Sequence, residues 1–166
     1  FFLLCILMIM KYDKQTQRNF DILYELNWPV EEYRVFGGGI MSALNLKPWR
    51  DIDLVVSKKL YEWIKEEYKD DYWYSSETHL PIHFHSIPVE LGPFPKSLNK
   101  NFPNLYDIET FWDDYIMIEN IPFILMRHTL KYKTNRKNSK FVQVEEKDSS
   151  DVKLIKEYIK TNSFGF

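Results

Sequence analysis

Asp51-Ile52-Asp53 stands at the head of the apolar run Leu54-Val55-Val56, and the eleven residues 40–50 separate it from the triple glycine Gly37-Gly38-Gly39. On a strand, residues two apart share a face and lie about 6.6 Å apart at about 3.3 Å per residue, so the two carboxylates converge. Two unit negative charges about 6 Å apart repel by roughly 3 kcal/mol at an effective dielectric near 20, and a bound divalent cation turns that repulsion into attraction. Oxygen donors suit Mg2+ or Mn2+, and paired metal ions can hold both oxygens of an in-line phosphoryl displacement. The glycines supply the other half of such a site. Between a strand and a helix they let backbone amides approach an anion, and the start of the helix adds partial positive charge. Ser42 is placed to add a hydroxyl. A triple glycine alone is ordinarily a tight turn and an Asp-x-Asp alone a solvated strand face; their arrangement is what points to chemistry.

The elements that must position these residues follow from periodicity. Residues 15–26 carry apolar side chains at helical spacing, with Pro29 ending the helix. Residues 33–36 form a short β-prone run stopped by the glycines, 40–46 a short helix, 47–50 a loop, and 51–56 a strand. Ser57 caps a helix over 58–68, with Leu60, Trp63 and Ile64 at intervals of three and four. Residues 72–74 and 82–91 read as strands, Pro88 marking an edge or bulge in the second, and 95–103 as a loop. Next come a short helix over 107–114, a strand over 115–118, a helix reached from 122–133, a polar basic loop over 134–140, and a last helix over 151–160 capped by Ser150.

Val35-Phe36-Gly37-Gly38-Gly39 followed by Asp51-Ile52-Asp53-Leu54-Val55-Val56 resembles the signature of the DNA polymerase beta-like nucleotidyltransferase superfamily. There a hydrophobic strand, Gly followed by Gly or Ser, and an acidic-x-acidic pair occur in that order. The tail is similar to that of small bacterial and archaeal nucleotidyltransferase-like proteins, through Ile121-Pro122-Phe123, Leu130-Lys131-Tyr132-Lys133 and Lys147-Asp148-Ser149-Ser150-Asp151.

The resemblance implies an α/β (α+β) nucleotidyltransferase fold, a mixed β-sheet flanked by helices in a single domain over 11–166. It implies transfer of a nucleoside monophosphate, AMP being the expected one, from a nucleoside triphosphate to a hydroxyl on a small molecule, protein or RNA. Gly37, Gly38, Gly39 and Ser42 would meet the triphosphate, ATP being the expected one, while Asp51 and Asp53 bind Mg2+ or Mn2+. A third carboxylate, as metal ligand or base, is assigned to Glu90 with Glu77 in reserve. Lys131 is the implied phosphate contact and Lys133 the alternative; a lysine on an amphipathic helix is also, ordinarily, a solvated face. Lys147, Asp148 and Asp151 read equally as a helix-start charge cluster. A competing class is a nucleotide-holding module without turnover, such as the antitoxin partner in a toxin-antitoxin pair.

Composition narrows the remaining classes. With 166 residues, 45% of them hydrophobic, a single core is available, since a chain of this size buries roughly 70% of its unfolded surface. The charge, 22 − 24 = −2, gives no electrostatic case for general nucleic-acid binding. The single cysteine, Cys5, rules out an intramolecular disulfide and a cysteine-built zinc site, so a reducing cytoplasmic setting is expected. His79, His83 and His85 lack the further ligands a zinc site needs. Trp49 is either a base-stacking ring or core, and Arg50 points away from the Asp51 face. Residues 1–10 are continuously apolar, too few to span a bilayer core of about 30 Å. They are expected to be a leader produced by upstream initiation, with Met8 or Met10 as the true start, or else a buried first strand.

Overall fold

Helix α1 (Lys14–Leu26) begins where Asp13 Oδ1 accepts hydrogen bonds from the amides of Gln15 (2.9 Å) and Thr16 (3.0 Å), and ends at Asn27 in the left-handed region. The computed structural model describes residues 11–70, 80–84, 87–93, 112–138 and 146–162. Strands β1 (Tyr33–Val35), β2 (Ile52–Val56), β3 (Leu80–Phe84), β4 (Ile87–Pro93), β5 (Tyr115–Ile118) and β6 (Ile121–Ile124) form one mixed sheet in the order β3-β4-β2-β1-β6-β5. The other described helices are α2 (Gly39–Ala43), α3 (Lys58–Glu67), α4 (Met126–Asn138) and α5 (Glu146–Thr161). Among the described residues no helix is long and apolar enough to cross a membrane.

Strand direction decides where chemistry can gather. β1 runs antiparallel to β2 and parallel to β6, and β2 runs parallel to β4. The end of β1, the starts of β2 and β4, and the end of β6 therefore meet at one end of the sheet. The glycine turn leaves β1 at that end, and Asp51 enters β2 there.

Alternation sorts the two faces. Tyr33, Val35, Ile52, Leu54, Val56, Val89, Leu91, Ile121 and Phe123 bury one face beneath Phe20 and Leu23 of α1, Met41 of α2, Ile64 of α3 and Ile155 of α5. On the opposite face Phe36, Val55 and Ile124 make a smaller cluster with Trp112 and Tyr132. The buried Arg34 lies there too. Its guanidinium stands 4.6 Å from the Trp112 ring and 4.0 Å from that of Tyr115, and donates to the carbonyls of Trp112, Val30 and Tyr33.

Several boundaries differ from the sequence reading. The single strand expected over 82–91 is a hairpin, β3 pairing antiparallel with β4. Pro88 explains how β4 tolerates a proline, since the ladder with β2 begins one residue later, at Ile52 beside Val89. Residues 134–138, expected as loop, continue α4, because a polar run without Gly or Pro does not stop a helix. α5 starts at Glu146, so Ser150 lies inside the helix rather than capping it. α2 stops early, where Asn45 takes φ +58 and the Asn45 and Leu46 amides bond back to Ser42 and Met41. The readings for residues 1–10, 72–74 and 95–103, and for 107–111 of the expected short helix, fall outside the described residues.

Candidate active site

Two of the three glycines are required for different reasons, and the third leaves room for a lysine. Gly37 has φ +65, and a Cβ on it would lie 2.4 Å from Asp53 Oδ2. The Phe36 amide donates to the Asp53 carbonyl at 2.9 Å, carrying the pairing of β1 and β2 into the turn and holding Gly37 beside Asp53. A Cβ on Gly39 would meet Val35 Cγ1 at 2.5 Å and the Trp49 ring at 3.2 Å, so only a bare backbone lets α2 close on the core. A Cβ on Gly38 would stand 3.2 Å from Lys47 Nζ.

Three acidic residues stand on, or one residue before, the strands that meet this turn. Asp51 is exposed one residue before β2, and Asp53 is half-buried within it. Glu90 occupies the register position directly beside Asp53 in the parallel pair of β2 and β4. The backbone at Asp51 is fixed through Trp49, which is 1% exposed. Trp49 Nε1 donates to the Asp51 carbonyl at 2.8 Å, its amide donates to Thr16 Oγ1 at 3.0 Å, and its carbonyl accepts from Asn19 Nδ2 at 2.8 Å. Its ring also packs on Phe20 and Phe123. Trp49 is a core residue that anchors the loop before Asp51 onto α1, so the base-stacking role considered for it does not hold.

No protein-family model matches the chain, and no curated protein matches it in sequence. Solved structures do match. The lincosamide antibiotic adenylyltransferase LnuA, in its lincomycin-bound form, superposes with a TM-score of 0.55 over 87% of this chain and 97% of its own, at 17% identity. A presumptive nucleotidyltransferase from Thermotoga maritima superposes with a TM-score of 0.51 over 91% of this chain and 96% of its own, at 12% identity. The chain has the nucleotidyltransferase fold. The likeness takes in nearly the whole of both solved chains, as a single domain of this fold requires.

Within the nucleotidyltransferase fold, Ser42, Lys131 and Lys133 take three different settings. Ser42 is buried, and its Oγ donates to the Gly38 carbonyl at 3.4 Å, so its hydroxyl is turned into its own helix. Lys131 is exposed on α4. Lys133 is buried, 3.0 Å from Asp148 Oδ1 and 2.8 Å from Asp151 Oδ2. Asp151 in turn accepts from Lys47 at 2.7 and 2.6 Å. Burial alone would raise the Asp151 carboxyl, but the hydrogen bonds from Lys133 and Lys47 outweigh it and hold the group below its ordinary value. For Lys133, burial pulls down and the two aspartates pull up more strongly, so its ammonium is held above its usual value. Lys47 is the residue that sequence reasoning passed over as a loop position. The available signal was Asp148 and Asp151 at a spacing of three, which on a helix puts two carboxylates on one face in need of cations.

A second polar group stands at the same end of the sheet. Asp114, just before β5, accepts from Arg127 Nε at 3.0 Å and faces His128 Nε2 at 2.5 Å. Although burial pushes its carboxyl up, these two partners hold it below the ordinary value. The group ties the start of α4 to the end of the sheet. His83 is exposed on β3, while His79, His85 and the reserve carboxylate Glu77 lie outside the described residues.

Among the described residues no group of three or more His, Cys, Asp or Glu is gathered to hold a metal ion, so the donors at hand are a pair of aspartates and the backbone neighbour of one of them. Asp51 and Asp53 offer hard oxygen donors, and Glu90 holds the adjoining register position. The missing Cβ of Gly37 leaves room for the Asp53 carboxylate against the turn, a cradle that any larger residue would fill.

Proposed function

We propose that the protein transfers a nucleoside monophosphate from a nucleoside triphosphate to a hydroxyl acceptor, with Mg2+ or Mn2+ held by Asp51, Asp53 and Glu90. The observation that carries this reading is the Asp53 carboxylate seated against Gly37. That contact puts a carboxylate on an acidic-x-acidic strand directly beside a turn whose backbone can approach phosphate. LnuA is an adenylyltransferase acting on an antibiotic, and its likeness favours AMP as the group moved and a small hydroxyl-bearing molecule as acceptor.

The acceptor hydroxyl oxygen forms a bond to the α-phosphorus, and the bond from that phosphorus to the α,β-bridging oxygen breaks. Pyrophosphate leaves with the bonding pair. Glu90, at the register position beside Asp53, takes the hydroxyl proton. A metal ion held by these carboxylates would supply charge neutralisation to the displacement. The glycine turn holds the triphosphate in line, and Trp49 fixes the backbone that presents Asp51.

The reading is tested with ATP labelled at the α or the γ phosphate, incubated with Mg2+ or Mn2+ and pools of hydroxyl compounds. Label from the α position should enter an acceptor with wild type and not with Asp51→Asn or Asp53→Asn, and γ label should leave as pyrophosphate. Equal α labelling by wild type and both variants would sink the reading. Triphosphate binding with no transfer to any pool would favour the module without turnover.

A further inference from the structure

Four ionised side chains from distant parts of the chain form a buried series that ends at the glycine turn. Asp148 and Asp151 lie on α5, Lys133 on α4, and Lys47 in the loop before β2. Side-chain exposure is 4% at Asp148 and 6% at Lys133 and Asp151, but 21% at Lys47. The series is closed to solvent along its length and opens only at Lys47. That open end meets the site, because Lys47 Nζ lies 3.2 Å from the point where a Gly38 side chain would begin.

A buried ion network is weak evidence for stability, since desolvation consumes most of the Coulomb gain and an apolar replacement is often neutral. Positioning is its better-supported use here. Asp151 grips the Lys47 ammonium with both oxygens, and its Oδ2 is shared with Lys133. A long, rotamer-rich side chain is thereby held at a fixed point above a backbone turn that has no Cβ in the way.

We propose that Lys47 is the cation that receives the triphosphate at the glycine turn, and that Asp151, braced by Lys133, is its positioning residue. The inference rests on the reading of the site as a nucleoside triphosphate site. It replaces Lys131 and Lys133 in the phosphate role. Lys133 is committed to two aspartates, and Lys131, two positions away on α4, takes a different side of the helix. When polyphosphate arrives, Lys47 exchanges part of its contact with Asp151 for phosphate oxygen, and Lys133 keeps Asp151 from being left as an unpaired buried charge.

The experiment is nucleotide titration by calorimetry with MgATP and with AMP, on wild type, Lys47→Met, Lys47→Arg and Asp151→Asn, with folding checked by circular dichroism. Loss of one charge-assisted phosphate contact should weaken MgATP by about tenfold or more in Lys47→Met while AMP changes less than about twofold. Lys47→Arg should recover most of the MgATP affinity, and Asp151→Asn should fall between. Should Lys47→Met not fold, the double variant Lys47→Met with Asp151→Asn removes both members, leaves Lys133 with Asp148, and should show the same selective loss. Unchanged MgATP binding by a folded variant lacking Lys47, or equal weakening of MgATP and AMP, overturns the inference while leaving the site reading intact. Failure of wild type to bind MgATP overturns both.

Discussion

The Asp53 carboxylate occupies the space that a side chain on Gly37 would take, with Oδ2 2.4 Å from that Cβ position, and Gly37 itself sits at φ +65. Turn and carboxylate are therefore a single unit, and a change in either moves the other. Gly37→Ala meets two penalties, the left-handed backbone at about 1 to 2 kcal/mol and the displacement of Asp53. Transfer should fall by about a hundredfold or more, because shifts near 1 Å at a reacting centre have that effect. Thermal unfolding together with transfer kinetics checks both parts. Full activity in a folded Gly37→Ala would separate the turn from the chemistry.

Gly38→Ala should be far milder. Its Cβ would meet only the end of the Lys47 side chain, at 3.2 and 3.3 Å, which needs to shift by no more than a few tenths of an ångström while keeping Asp151. The melting temperature should move by less than about 2 °C, which for a domain of this size is about 0.5 to 1 kcal/mol. The rise should appear in KM for the triphosphate rather than in stability, which steady-state kinetics resolves.

Trp49→Phe removes the indole hydrogen bond to the Asp51 carbonyl while keeping a ring against Phe20 and Phe123. The loss should be about 1 to 3 kcal/mol from the bond and the vacated volume. Urea unfolding measures it. A parallel drop in kcat, with KM for the acceptor little changed, is expected if Trp49 acts by fixing Asp51.

Much of this site is legible in the sequence because its parts are local. Asp51 and Asp53 are two residues apart at the start of a strand, and their spacing alone marks them as a pair. Gly37 to Gly39 announce a turn for the same reason. Lys47 and Asp151 are 104 residues apart, and no periodicity connects a loop lysine to an aspartate in the last helix. Polarity at 134–138 reads as loop, yet the segment continues α4, whose first turns are held by Met126, Leu130 and Lys133. The hairpin of β3 and β4 was hidden because both strands bury one face, so Ile82, Val89 and Leu91 look like one apolar run.

The pH dependence of the ion series follows from the two shifts. Asp151 is held below the ordinary carboxylate value, so its contribution is present above its unfolded pKa, about 4, and is lost as pH falls through the lower folded value. Lys133 is held above its ordinary value, so its contribution is complete below its unfolded pKa, about 10.4, and is lost as pH rises through the higher folded value. Stability from the series should therefore be flat between about pH 4 and 10. Denaturant midpoints for wild type and Asp151→Asn should differ across that window and converge below it. A constant difference down to pH 2 would show that Asp151 contributes something other than charge.

The central claim, that Asp51 and Asp53 hold a divalent ion at the glycine turn, is met most directly by Mn2+ titration followed by electron paramagnetic resonance. With a non-hydrolysable ATP analogue present, wild type should remove free Mn2+ from solution beyond what the nucleotide alone removes. Asp51→Asn and Asp53→Asn should lose that excess, each remaining folded. Excess binding of equal strength in wild type and both variants, or none in wild type, would contradict the account.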